Sequence, residues 1–381
     1  MAGAVRKILV TGAGGLIGWH AAARLHAYNC GARFKGEDAP YDLVALDRDG
    51  FNDDAKLAAA LDGADAVLHF AGVNRGTDEE VAAGNPAIAQ RLADAVTASG
   101  GKPVIVYANS THADGDSLYG KSKAEAAGIL GEAAPLANLV LPHIFGETAR
   151  PDYNNVTATL IDRLWKGEAP QINDGAVVHL LHAGEAAQIA IGASQDASSR
   201  TIRSDARTIS VADLREKLQS FHASYTANIF PDFSDPFDLA LFNTYRTGGF
   251  PEQYPLAMDV RSDARGDLFE TAKSRGSGQS FVSTTLPGQR RGDHFHFSLV
   301  ERFLVVSGKA VIRVRKLLSD DIVEFEVSGD HPVAIDMPPL HTHHIENVGD
   351  EPVVTYFWAH RLFDPANPDT YADPVLKEPQ P

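Results

Sequence analysis

The stretch VTGAGGLIG, Val10–Gly18, decides how the first half of this chain is read. It overlaps the apolar run Ile8–Val10, predicted as a short buried strand, and leads into a segment predicted as a helix from near Leu16. Strand, glycine turn and helix open a βαβ unit. Gly12, Gly15 and Gly18 let the backbone turn tightly and approach a pyrophosphate, whose charge then sits at the positive end of the helix. Leu16 and Ile17 complete the predicted cofactor-facing turn. Further on, YDLVALDRDGF reads as the second strand, ending at Asp47 and Arg48, where the adenosine ribose of a dinucleotide would lie. Asp47 suits the 2′-OH of NAD, whereas Arg48 suits the 2′-phosphate of NADP(H), so both cofactors stay open. ADAVLHFAGVNRG adds a strand ending in Ala71 and Gly72, small residues suited to close backbone approach beside a cofactor.

At 381 residues the chain is long for one core, and two domains are expected. Hydrophobic residues at 44% and charged residues at 22% are ordinary usage for a folded soluble chain. The net charge of −16 argues against a nucleic-acid surface, which needs clustered Lys and Arg, so any anionic ligand requires a local positive pocket. No apolar run approaches the ~20 residues that span a bilayer. The start MAGAVRKILVTGAGG runs into the first strand without a signal-peptide core. With a single cysteine, Cys30, there is no intrachain disulfide, and a reducing, cytoplasmic setting is expected, with Cys30 as an ordinary buried or half-buried residue.

PVIVYANST reads as a further buried strand ending at Ser110, and LYGKSKAEAA places Tyr119 and Lys123 four apart, on one helix face. A neighbouring ammonium would lower the phenol from its usual value of ~10, letting Tyr119 exchange a proton with a carbonyl while Ser110 donates to the same oxygen. Over roughly residues 5–222 these features resemble the extended short-chain dehydrogenase/reductase family. The resemblance implies catalytic Ser110, Tyr119 and Lys123, with Lys123 also touching the cofactor, and a nucleotide-linked sugar as substrate. RPDYNNVTATLIDRLWKGE then looks like the family's substrate region, with Arg150, Asn154, Asn155 and Lys166 as contacts. His143, in LPHIFG, stands where many relatives carry Asn.

Residues 223–258 lose periodicity and mix aromatics with prolines, and are expected to form an ordered connector. Beyond them, ERFLVVSGKAVIRVRKL and DIVEFEVSG alternate apolar and polar residues around Gly308 and Gly329, predicting a small antiparallel barrel or jelly roll over residues 259–381. In GDHFHFSLVERF, His294 and His296 fall on the same side of a strand, with Glu301 at the start of the next, and HTHHIEN supplies His343. Three imidazoles and a carboxylate suit Zn²⁺, Fe²⁺, Mn²⁺ or Ni²⁺. The flanking His341 and His344 are expected to be exposed loop residues. The spacing Gly288, His294, His296, Glu301, Gly308 resembles the cupin pattern, followed by Pro338, His343 and Asn347, with Leu340 where glycine is usual. Some cupins use such residues without metal, as acid and base.

The expected architecture is thus an α/β Rossmann domain over residues 1–222 followed by an all-β cupin jelly-roll. This combination resembles two-domain enzymes of capsular polysaccharide precursor synthesis. It implies that the cupin inverts C3 of a UDP-linked 4-keto-6-deoxy amino sugar and the reductase then reduces C4, with NADPH, zinc and a homodimer. A reductase with a purely structural cupin, or a nicotinamide and sugar sensor, are the rival readings.

Overall fold

The computed structural model describes residues 5–169, 173 and 175–377. It divides into two compact units, residues 1–159 with 172–212, and residues 160–171 with 213–381.

In the first unit, six strands make one parallel sheet: β1 (Arg6–Thr11), β2 (Tyr41–Leu46), β3 (Ala66–His69), β4 (Val104–Ser110), β5 (Leu136–Leu141) and β8 (Arg200–Arg203), in the order β2-β1-β3-β4-β5-β8. The central strands β1, β3, β4 and β5 are mostly buried and carry continuous apolar runs such as Ile8, Leu9 and Val10, whereas the edge strands β2 and β8 are more exposed. Between them lie α1 (Leu16–Phe34), α2 (Arg48–Asn52), α3 (Asp54–Leu61), α4 (Asp78–Ser99) and α5 (Leu118–Ala133). The strand order reverses between β1 and β3, the switch point at which a parallel sheet opens a crevice for a ligand. A smaller sheet joins β6 (His143–Phe145), β7 (Val177–His182) and β9 (Arg207–Ser210), and α7 (Ala183–Ala193) packs on α1 through Ala186, Ala187 and Ala190.

Unit boundaries fall within α6 (Val156–Trp165) and near the start of α8 (Val211–Thr226). The segment expected as a connector is ordered and belongs to the second unit, and that unit begins at Asp213, ten residues before the expected boundary. It contains β10 (Ile229–Phe230), α9 (Pro236–Thr247) and β11 (Leu256–Ala257). Helix α9 is hidden in the sequence because Pro231, Pro236, Pro251 and Pro255 punctuate the segment around it. Yet Asp235 caps it, its side chain accepting from the Phe237 amide at 2.9 Å, and Pro236 takes the first helical turn, where no amide is needed.

The rest of this unit is β-rich. After β12 (Arg261–Asp263), β13 (Gly266–Leu268) and β14 (Lys273–Ser274) come β15 (Gln279–Thr285), β16 (Arg290–Phe295), β17 (Glu301–Ser307), β18 (Lys309–Lys316), β19 (Ile322–Ser328), β20 (Val333–Met337), β21 (His341–Asn347), β22 (Val353–Ala359) and β23 (Tyr371–Ala372). Two antiparallel five-stranded sheets result, β11-β20-β17-β22-β15 and β19-β18-β21-β16-β23. Phe303, Ile335 and Phe357 from the first share one core with Ile312, Phe325 and Ile345 from the second. The connector is bound to this sandwich by buried polar groups. Arg302 pairs with Asp336 at 2.7 and 2.8 Å, and the Tyr225 hydroxyl donates to the same carboxylate at 2.5 Å while meeting Tyr254 at 2.6 Å.

Candidate functional site

The glycine turn after β1 is built as its spacing requires. Gly12 has φ +68°, and a Cβ there would meet the Ala71 backbone nitrogen at 2.7 Å. A Cβ at Gly18 would collide with the Gly12 carbonyl oxygen, and Gly15 caps α1, with Leu16 and Ile17 in its first turn. Ala71 therefore lies against the turn, at the switch point, and Gly72 beside Asn85 and Lys123. Strand β2 stops at Leu46, and Asp47 caps α2 by accepting from Gly50 N at 2.8 Å. Arg48 follows it, exposed.

Ser110 ends β4, and Tyr119 and Lys123 rise from α5. Ser110 stands near the Tyr119 side chain, its Oγ accepting from His112 N at 3.2 Å. One expectation is corrected here. Burial pushes the Tyr119 phenol above its ordinary value, with Ser110 only partly opposing this, so the group is a protonated acid at neutral pH. Burial brings the Lys123 ammonium down to about 7, and its Nζ donates to the Ala108 carbonyl at 2.6 Å.

The expected substrate contacts separate. Arg150 and Asn154 are exposed on the loop before α6, with the Asn154 amide donating to Asn74 O at 2.8 Å. Burial lowers the pKa of His143, on β6. Asn155 has structural work for both polar atoms, donating to Ile144 O at 2.9 Å and accepting from Ala158 N at 3.0 Å in the first turn of α6. Lys166 pairs with Asp162 at 2.9 Å in the second unit.

In the β-rich unit, His294 lies opposite His343 across β16 and β21, while Glu301 opens β17 in the other sheet and His296 just follows β16. Their ligand atoms lie within 4.8 Å of one another. Backbone carbonyls orient the rings: His296 Nδ1 donates to Asp369 O at 2.6 Å and His343 Nδ1 to His341 O at 3.1 Å. Each Nε2 is thereby turned inward. His296 Nε2, His343 Nε2 and Glu301 Oε2 are buried without hydrogen-bond partners, a costly state that a shared divalent cation would relieve. The residues therefore fit a metal. A cavity of about 400 Å³ reaches them, lined also by Arg291, Phe281, Phe357 and Arg361.

His341 and His344 are not exposed loop residues, as expected from sequence. Both lie on β21 and are buried, and His344 meets Asp293 at 2.9 Å. Strand β21 is central, and its outer face is covered by the C-terminal segment, where Val375 N also donates to Asp293 at 3.0 Å. Leu340 takes φ 59°, which explains why glycine is the usual residue at this point of the pattern.

A family model described as the NAD dependent epimerase/dehydratase family matches residues 8–203. The chain belongs to this family. Residues 261–371 match a second model, the polysaccharide biosynthesis C-terminal domain. The chain is 31% identical over 377 residues to a UDP-2-acetamido-2,6-beta-L-arabino-hexul-4-ose reductase of Pseudomonas aeruginosa, covering 96% of this chain and 98% of that one. It is also similar to the crystal structure of capsular polysaccharide assembling protein CapF from Staphylococcus aureus, at 28% identity and TM-score 0.56, covering 97% of this chain and 100% of that one. Among the described residues no helix is long and apolar enough to cross a membrane.

Proposed function

We propose that this chain is a bifunctional nucleotide-sugar enzyme of polysaccharide precursor synthesis. Its β-rich unit, read as a cupin, inverts C3 of a UDP-2-acetamido-2,6-dideoxy-4-hexulose, and its reductase unit then reduces C4 with NADPH to UDP-2-acetamido-2,6-dideoxy-L-talose. The observation that carries the reading is the placement of Ser110 at the end of β4 beside Tyr119 and the buried Lys123, one turn apart on α5. The name of the Pseudomonas relative, which specifies a UDP-linked hexul-4-ose and its reduction, supports the substrate class.

When bound, NADPH supplies a hydride to the carbonyl carbon. Tyr119 delivers the proton to the carbonyl oxygen, and Ser110 donates a hydrogen bond that favours the developing negative charge. Gly12, Gly15 and Gly18 hold the pyrophosphate against α1, and Arg48 receives the 2′-phosphate. Arg48→Ala should weaken NADPH binding selectively, whereas Asp47→Ala should shift preference further toward NADPH. Cofactor titration checks this, and an unchanged NADPH/NADH ratio in Arg48→Ala removes the assignment.

The C4 ketone makes the C3 proton acidic, so a base can remove it and an acid can return it on the other face. A divalent metal, most simply zinc, supplies positive charge at that site, and His294, His296, Glu301 and His343 would hold it. His343→Ala should lower bound metal from about one equivalent per chain to well below it, since one of four ligands is lost. Undiminished metal by elemental analysis would remove the ligand set. The enzyme is taken to work in the cytoplasm as a homodimer.

The Pseudomonas name specifies reduction alone, which favours a second reading in which the β-rich unit is structural. Incubation with a panel of UDP-linked 4-keto-6-deoxy sugars in D₂O, with NADPH or NADH, separates the two. Reduction accompanied by deuterium at C3 supports the bifunctional reading; reduction without it supports the second.

A further inference from the structure

Lys123 is the one member of the reductase triad whose charge lacks an evident source of support. It is deeply buried, and among the described residues no carboxylate pairs with it. Its Nζ reaches the Ala108 carbonyl, and it lies 4.2 Å from the centroid of the Tyr107 ring. Tyr107 is 1% exposed on β4, three residues before Ser110, and its hydroxyl is buried with no partner among the described residues. What this side chain offers Lys123 is therefore its π face and not its hydroxyl.

We propose that Tyr107 is a positioning residue that keeps Lys123 charged through a desolvated cation–π contact, and so sets the pH range over which the reductase site works. The other groups around this pair supply no competing negative charge. His69, on β3, packs against the Tyr107 ring at 5.8 Å and is held by a 2.7 Å hydrogen bond from its Nδ1 to Thr11 Oγ1. Burial, with a smaller push from Lys123, lowers His69 to about 3, so it is neutral. Tyr119, on the same helix as Lys123, is a protonated phenol. From α4, Asn85 contributes a neutral amide, already bonded to Val73 and Ser122. With burial holding Lys123 at about 7, near-neutral pH lies on the steep part of its titration. A desolvated cation–π contact is then strong enough to move the charged-to-neutral ratio about tenfold.

The sign follows directly. Weakening the ring's negative face destabilises only the ammonium, so Lys123 loses its proton at lower pH. The alkaline edge of ketone reduction, which rests on the triad reading above, should move down with it.

The test is a graded series on the full-length protein: Tyr107→Phe, then phenylalanines at position 107 carrying three and five ring fluorines. Fluorination keeps the shape of the ring while cancelling its quadrupole. The Lys123 titration is followed by NMR with ¹⁵N-lysine, assigned by comparison with Lys123→Met. Tyr107→Phe should leave that titration within a few tenths of a unit, because the hydroxyl is not used. The fluorinated rings should lower it stepwise, by about one unit at five fluorines, without a matching trend in melting temperature. A midpoint that does not follow fluorination, or that moves as far in Tyr107→Phe as in the five-fluorine variant, overturns the proposal. The NMR readout needs no turnover. Failure of the sugar panel would therefore bear on the proposed reaction and leave this result standing.

Discussion

Tyr119→Phe should cut ketone reduction by roughly 10²–10⁴-fold while leaving cofactor binding and C3 proton exchange in place. The substitution removes one oxygen from a buried helix face and keeps the ring. What is lost is the proton that reaches the carbonyl oxygen in the transition state. The glycine turn, Asp47 and Arg48 are untouched, so cofactor titration should give the wild-type affinity. Exchange at C3 needs the ketone and the quartet at His294, His296, Glu301 and His343, none of which involves Tyr119. The experiment follows cofactor oxidation and, separately, the C3 resonance in D₂O without cofactor. Full retention of reduction removes Tyr119 as the acid. Loss of exchange with metal bound would replace the bifunctional reading by the reductase-only one.

A chain beginning at Asp259 should fail to fold, although sequence alone makes it the natural cut for an isolated cupin. That cut deletes Tyr225 and Tyr254, which serve the buried Asp336 carboxylate opposite Arg302. It also removes Arg246, which is fully buried and donates to the Met337 carbonyl, and Phe230, which stacks on Trp358 at 4.2 Å. Arg302 and Asp336 stay in the fragment, but the hydrogen bonds lost with Tyr225 and Arg246 involve charged groups and cost about 1.5–3 kcal/mol each, a large part of the ~5–15 kcal/mol that stabilises a domain. Thermal unfolding of the fragment should show no cooperative transition, and its amide NMR spectrum should be poorly dispersed. A cooperative melt with metal bound would show that the connector is dispensable.

The two predictions reflect how far local pattern reaches. Gly12, Gly15 and Gly18 were legible because steric limits on a turn act over a few residues, and the quartet was legible because strand alternation and hairpin length set its spacing. Features decided by distant chain segments were not. His344 was expected in an exposed loop, but it lies on the central strand β21, on the face that the C-terminal segment carrying Val375 covers. Asn155 looked like a sugar contact until the Ile144 carbonyl and the first turn of α6 claimed both of its polar atoms. The Tyr119–Lys123 pair was visible, yet the direction of the phenol's shift depends on burial, which helix spacing does not report.

The order in which the chain visits its two units has a consequence for ancestry and engineering. It leaves the first unit at residue 159, returns at 172, and leaves again at 212, so each unit is assembled from two separate lengths of chain. No single crossover inside this span can therefore exchange one unit whole: a recombinant joined anywhere between residues 159 and 213 inherits at least one unit of mixed parentage. Such a chain is expected to pass down its lineage as one heritable block, and a chimera made from two relatives must transplant the residue 160–171 segment together with everything after 212.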